Sequence, residues 1–378
     1  MYVLSYLVPK DKNLFLYGGF DCSKFGDSSK YLFIYANKNL PATKNYWVTQ
    51  SKETAKLVRG QGYKTLKKDR PCTLWKLIRA KALIIVSGDS DLTIMPLLGK
   101  FRIFNTWHGH PIKKIGLDDK MYTDMTGKSL VEKLNCNIFK KQLSQQIGML
   151  SINKEMTEIY KSAFKGNKHI LEFGYPRHLP FFDRSYLVEN LKEKLELEKY
   201  KKVFVYMPTF RSEFQKEAKF PEEDLAELNK VLKEMGSVLL YKYHHHENNK
   251  VMQEMSNIKN ATDFVSDANE LLVYADVVIT DYSSVFFDYL ILKKPVIFFP
   301  YDLRRYKEKS RDMYYEYEEI APGPFVYTLA ELAVKIKTIN ELEGDSEYMQ
   351  KIAKLNQRIN TFSSIETPKK IFDYLLNN

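Results

Sequence analysis

An α/β protein with two Rossmann-like domains facing each other across a cleft is the fold this sequence predicts, on three observations. Short β-branched and apolar runs alternate with amphipathic stretches along the whole chain, the pattern of parallel sheets flanked by helices. At 378 residues the chain is long enough for two cores rather than one. Several of the apolar runs also end in polar clusters, the arrangement found at the carboxyl edge of a parallel sheet, where ligands bind.

From the N-terminus, Asn13–Gly18 and Tyr31–Ala36 read as strands around a Gly/Ser/Asp loop. Tyr46–Thr49 is a third strand, followed by a helix from Ser51 to Arg59. A helix over Leu74–Ala80 leads into a buried strand at Ala82–Ser87, and Arg102–Thr106 is the next strand. Residues 117–150 form a basic helical region whose apolar side carries Val131, Leu134, Ile138, Leu143 and Ile147. It is expected to pack on its own domain rather than to lie on a membrane. Strands at Gly148–Ile152 and Ile170–Phe173 flank a helix over Lys154–Phe164. The charged stretch Tyr186–Lys202 marks the domain boundary, giving domains of residues 1–185 and 186–378.

The second domain opens with a strand at Val203–Tyr206, a helix from Glu222 to Met235, and a strand at Ser237–Tyr243. Phe264 and Val265 begin another short apolar segment, and Leu271–Ala275 belongs to a helix. The clearest unit follows at residues 277–301, VVITDYSSVFFDYLILKKPVIFFPY. Two short apolar runs, Val277–Thr280 and Val296–Phe299, enclose about three helical turns from Ser283 to Leu292, a parallel βαβ unit. Helices at Leu329–Ile339, Glu347–Asn360 and Pro368–Leu376 close the chain.

Composition narrows the function classes. Apolar residues make up 44% of the chain, ample for two cores, yet no run of 18 apolar residues reads as a transmembrane helix. The N-terminus lacks the basic segment of a signal peptide. Three scattered cysteines, Cys22, Cys72 and Cys136, fit a reducing compartment and show no metal-ligand spacing. The net charge of +11 suits anionic partners such as a nucleotide or the anionic face of a membrane. No zinc finger, RNP motif or other nucleic-acid module is present, so nucleic acid is not an expected partner.

The polar clusters at strand ends carry the chemistry. His108 follows RIFNT, Arg177 follows ILEFG, Arg211 follows VFVYM, His244 follows VLLYKY, and Ser283 and Ser284 follow VVIT. Arginine holds phosphate through a planar fork, histidine moves protons near neutral pH, and a helix start favours an anion. Together they suit a diphosphate with an acid/base group beside it. Singly, each has a plainer role: Ser283 and Ser284 as helix caps, His108 as a core histidine, Arg211 as a surface cation. Asp89 and Asp91 form a D-x-D that in metal-dependent transferases holds a divalent cation, but such a pair serves as readily in a turn. No metal and no cofactor is expected.

In order along the chain stand NTWHGHPIKKIG (105–116), GYPR (174–177), YMPTFR (206–211), YKYH (241–244), the long 279–306 segment around TDYSS, and EYEEIAPGPFV (316–326). This set resembles the CDP-glycerol glycerophosphotransferase family of teichoic acid and capsule polymer synthesis, over roughly residues 8–365. The resemblance implies a GT-B fold, with the first domain on the acceptor side and the second binding a CDP-polyol. It places His108 on the family's proposed catalytic base and His244 on its second essential histidine, in contact with the donor diphosphate. Arg177, Thr209, Arg211, Ser283, Ser284 and Asp288 fall on donor-site positions. The neighbouring motif residues Trp107, Gly109, Pro111, Pro208, Lys242 and Asp281 are expected to line the substrates. The chain departs from the family's pattern at His110, where threonine is usual, and at His178 and Leu179. These changes bear on the polyol and the acceptor more than on the reaction.

The expected activity is transfer of a polyol phosphate, glycerol phosphate foremost, from a CDP-polyol to a hydroxyl of a lipid-linked or polymeric acceptor, with release of CMP. The expected place is the cytoplasmic face of the membrane, held peripherally by charge. Two other readings remain: a glycosyltransferase of the same fold using a nucleotide sugar, and a basic scaffold that binds an anionic polymer without catalysis.

Overall fold

In the structure, a computed structural model, residues 1–167, 169–209, 219–243, 252–303 and 312–378 are described. The chain divides into two compact units. The first comprises Met1–His110, Ile115–Val188 and Asn360–Asn378; the second comprises Pro111–Lys114 and Glu189–Ile359. Each is a mixed α/β unit built on a parallel sheet.

The first unit carries seven strands among the described residues: β1 (Asp11–Tyr17), β2 (Lys44–Thr49), β3 (Thr65–Lys67), β4 (Ala80–Ile85), β5 (Ile103–Asn105), β6 (Gln146–Leu150) and β7 (Ile170–Leu171). They lie in the order β3-β2-β1-β4-β5-β6-β7, all parallel. Because side chains alternate across a strand, β1 feeds two cores. Phe15 and Tyr17 enter one with Trp47, Phe104 and Met149, and Leu14 and Leu16 enter the other with Leu83 and Ile103. Burial on both faces explains why these strands read as unbroken apolar runs rather than as alternation.

The second unit holds β8 (Val203–Tyr206), β9 (Val238–Tyr241), β10 (Ile258–Asn260), β11 (Val277–Thr280) and β12 (Val296–Phe298), in the order β10-β9-β8-β11-β12 and again parallel. In each sheet the strand order reverses once, between β1 and β4 and between β8 and β11. Ligands bind beside such reversals, outside the carboxyl ends of the strands.

Four sequence expectations are corrected. Tyr31–Ala36 is not a strand but part of a helix over Asp27–Asn39. Tyr31, Leu32, Phe33, Ile34 and Ala36 are all buried, so the helix is apolar all round there and shows no 3.6-residue period. Phe264 lies exposed in a turn, and the strand of that region is β10, just upstream. The basic helix Leu130–Ser144 buries Cys136 and Leu143, but Val131 and Leu134 stay 66% and 58% exposed rather than packing on the unit. The last helix, Thr367–Asn377, belongs to the first unit and not to the second. Its Ile371, Phe372 and Leu375 enter the core of β1, where the Phe372 and Phe15 rings meet edge to face at 5.7 Å.

Candidate functional site

In the first unit the site grows from the end of β5. Asn105 Oδ1 accepts the backbone N–H of Trp107 at 2.8 Å, and both the amide and the hydroxyl of Thr106 donate to the Ile85 carbonyl on β4. These bonds hold Trp107 at φ 57°, a left-handed conformation that costs a bulky residue free energy and persists only where its surroundings impose it. Gly109, at φ 123°, occupies a conformation that a side chain would strain. The Trp107 ring is wedged against Phe164 and Tyr160, and the His108 ring lies over it with centroids 4.1 Å apart.

His108 Nδ1 lies 3.4 Å from the Val86 carbonyl oxygen. A carbonyl only accepts, so this contact favours the tautomer with hydrogen on Nδ1 and a free lone pair on Nε2. The residue keeps an exposed edge, yet the protein packed around the ring displaces water and pushes its pKa below the ordinary histidine value. Arg177 adds to that depression, while Asp27, Asp91 and the Val86 carbonyl oppose it. The imidazole is therefore neutral at pH 7, the state a general base needs.

Arg177 sits beneath this loop. Its Nη1 donates to the Asp27 carboxylate at 2.8 Å and to the His108 carbonyl at 2.7 Å, and its side chain is only 11% exposed. Asp27, itself 6% exposed, follows β1, so the pair ties the ends of β1 and β5 together. Sequence reasoning missed Asp27. Its signal was a loop of small polar residues at the carboxyl end of a central strand.

Asp91 is fully buried and gathers backbone N–H groups from Asp21, Val86 and Ser87 at 2.8–3.0 Å. It works as an internal anchor for the loop after β4. Asp89 Oδ2 accepts from the Leu97 amide at 2.6 Å and from the Gln142 side chain. The D-x-D thus serves loop geometry here. The two histidine departures are also inward. His110 Nδ1 meets the Asn153 amide at 3.5 Å, His178 Nδ1 meets the Ser363 hydroxyl at 2.8 Å, and both rings are buried. Pro111 opens the short segment 111–114 that pairs with residues 312–314 in the second unit.

In the second unit the polar residues gather at the reversal between β8 and β11. Asp281, fully buried, accepts both the amide and the hydroxyl of Thr209, at 2.8 and 2.7 Å, joining the loops after the two strands. Thr280 donates to the Met207 carbonyl and Tyr317 to the Asp281 carbonyl, at 2.6 and 2.7 Å. Pro208 and Thr209 stay half-buried, and Lys242 is fixed through its amide on the Tyr206 carbonyl. The helix after β11 is shorter than its sequence suggested, Val285–Tyr289 running into a 3-10 turn at Leu290–Leu292. Ser284 precedes it without a side-chain capping bond, Ser283 makes one long contact to the Val285 amide at 3.5 Å, and Asp288 is buried. The plain capping role therefore accounts for little of Ser284. Arg211 and His244 lie outside the described residues.

Among the described residues no helix is long and apolar enough to cross a membrane.

Comparison with known proteins places this geometry. The chain is 31% identical to a teichoic acid poly(glycerol phosphate) polymerase of Staphylococcus epidermidis over 96% of its own length and 50% of that protein. It is 30% identical to a teichoic acid glycerol-phosphate transferase of Staphylococcus aureus, over 91% of this chain and 90% of that one. The chain thus spans about half the length of the poly(glycerol phosphate) polymerase it matches. Among solved structures, that of the wall teichoic acid polymerase TagF, studied with CDPG, superposes with a TM-score of 0.80 at 26% identity, covering 97% of this chain and 89% of the other. The CDP-glycerol:poly(glycerophosphate) glycerophosphotransferase model matches residues 1–377, so the chain belongs to that family.

Proposed function

We propose that the protein is a GT-B transferase that moves glycerol phosphate, or a related polyol phosphate, from a CDP-polyol to a hydroxyl of a lipid-linked or polymeric acceptor in teichoic acid or capsule synthesis. The acceptor oxygen attacks the phosphorus that bears the polyol. The new P–O bond makes the phosphodiester, the bond to the cytidylyl phosphate breaks with its electrons, and CMP leaves. The acceptor's proton passes to His108 Nε2.

The contact of His108 Nδ1 with the Val86 carbonyl is the observation that carries this reading: it favours hydrogen on Nδ1, and with an exposed edge that leaves a neutral nitrogen available to a hydroxyl. Arg177 holds that loop through its carbonyl, so its role is to position His108 as well as to contribute positive charge. In the second unit, Thr209, Ser283, Ser284 and Asp288 are assigned to the donor, with Asp281 fixing Thr209 and with Pro208 and Lys242 beside them. Their place at the strand-order reversal supports the assignment. His244 and Arg211 are assigned to the diphosphate from their motifs, since phosphoryl transfer demands chiefly charge stabilisation and positioning. No step in this reading requires a metal. The activity belongs at the cytoplasmic face of the membrane, held peripherally by net positive charge and by exposed apolar residues such as Val131 and Leu134.

The decisive experiment is CMP release from CDP-glycerol and CDP-ribitol, set against release of nucleotide from UDP-sugars. In His108→Ala, release should fall by about 10²–10⁴-fold with donor affinity and thermal stability retained. Near wild-type turnover by that variant removes the mechanism.

A further inference from the structure

Beside His108, wholly within the first unit, lies a cavity of about 230 Å³ whose far wall comes from outside the strand-end motifs. It is smaller than the roughly 300–1,000 Å³ of pockets for drug-sized ligands. That size suits a short polyol better than a whole nucleotide.

The walls are of two kinds. Trp107, Phe139 and Tyr122 present aromatic surface, with the Phe139 and Tyr122 rings stacked at 4.7 Å. Asp89 and Gln142 supply the polar edge and are joined to each other, the Gln142 amide donating to Asp89 Oδ2. Gln142 stands three residues after Phe139 on the helix Leu130–Ser144, so both side chains share a face. Asp89 Oδ2 takes the Leu97 and Gln142 donors, and among the described residues no donor meets Asp89 Oδ1 or Gln142 Oε1, which leaves two acceptors.

Two acceptors side by side, one of them anionic, against an aromatic wall select a ligand. They call for two hydroxyl hydrogens and a carbon face, and they repel a phosphate. We propose that this cavity receives the terminal polyol of the acceptor, with Asp89 and Gln142 accepting its hydroxyl hydrogens and Phe139 and Trp107 covering its carbons. The assignment rests on His108 being the base, since both line the same cavity and the bound polyol then presents one hydroxyl to Nε2. The phosphodiester that follows the terminal unit stays outside, kept there by Asp89. The cavity thereby sets which end of an acceptor enters: a free polyol terminus is taken, and one already capped by phosphate is refused.

The test uses the full chain with a short glycerol-phosphate oligomer ending in a free glycerol, and with the same oligomer ending in phosphate. Calorimetry without donor reads the cavity independently of turnover. The glycerol-ended oligomer should bind and the phosphate-ended one should bind at least ten-fold more weakly. Gln142→Met, which keeps the bulk but loses both polar atoms, should raise the acceptor KM about ten-fold or more while leaving the Kd for CDP-glycerol unchanged. Asp89→Asn should relax the discrimination against the phosphate end. Asp89 also holds the Leu97 amide, so if that variant fails to fold, Gln142→Met decides alone. Equal binding of the two oligomers, or an unchanged acceptor KM in folded Gln142→Met, overturns the proposal. Failure of the wild type to release CMP from any CDP-polyol, with oligomer binding intact, instead overturns the proposed reaction.

Discussion

Arg177 Nη1 donates to the His108 carbonyl at 2.7 Å while the same nitrogen faces the Asp27 carboxylate at 2.8 Å. One buried cation therefore secures both the loop of the proposed base and the loop after the central strand.

Removing it should be costly. Arg177→Ala removes the cation that faces the buried Asp27 carboxylate, and breaking a buried ion pair typically costs about 3–5 kcal/mol. Urea unfolding should show a midpoint well below wild type, with CMP release lost as well. Arg177→Lys keeps the charge but not the planar fork, so it should recover part of the stability and little of the rate. A stable Arg177→Ala protein would mean that the ion pair does not hold the loop.

The pH profile should carry the mark of His108. Its pKa is depressed, so the neutral form persists below the ordinary histidine value of about 6.5, and CMP release should hold its plateau there before falling with further acid. The sign for stability is the same. The unfolded chain binds this proton more readily than the folded one, so this contribution is present above the unfolded pKa and is lost as pH falls from there through the lower folded pKa. A stopped assay across pH 5–8 measures the first, and thermal melts over that range measure the second. An acidic limb centred above the ordinary value would contradict both.

Ser284→Asp sets two effects of opposite sign against each other. An acidic residue at a helix start favours the helix, so folding stability should not drop. The same carboxylate faces the proposed diphosphate, so calorimetric affinity for CDP-glycerol should weaken at least ten-fold. Unchanged affinity in the folded variant would move the donor away from this loop.

Membrane attachment should be governed by salt. With a net charge of +11, the protein should float with anionic vesicles at low ionic strength and be released at high salt, when the Debye length shrinks from ~10 Å at 0.1 M to ~3 Å at 1 M. Equal binding to neutral vesicles, or none to either, would refute an electrostatic anchor.

The parts of this molecule that were legible in the sequence share a physical cause. β4, β8 and β11 are short apolar runs bounded by polar residues, so they announce themselves, and the loops that follow them are fixed by adjacency alone. His108 and Thr209 could be placed at sheet edges on that basis. The helix Asp27–Asn39 could not be read, because burial on every side erases its period. β3 and β10, Thr-Leu-Lys and Ile-Lys-Asn, each hold a single apolar residue and so present no apolar run to read. The Asp27–Arg177 pair spans 150 residues and exists only after the sheet has formed. Likewise Asp89 and Gln142, from a loop and a distant helix, meet only through tertiary packing.

The return of residues 360–378 to the first unit bears on the order of events during synthesis. The core around Phe15 and Phe104 lacks Ile371, Phe372 and Leu375 until the whole second unit has been made. Of these two units, the one begun first is therefore the one completed last, and it keeps apolar surface uncovered while the second unit, complete at Ile359, can close ahead of it. A chain truncated after Ile359 should display a protease-resistant second unit beside a first unit that is still open to cleavage.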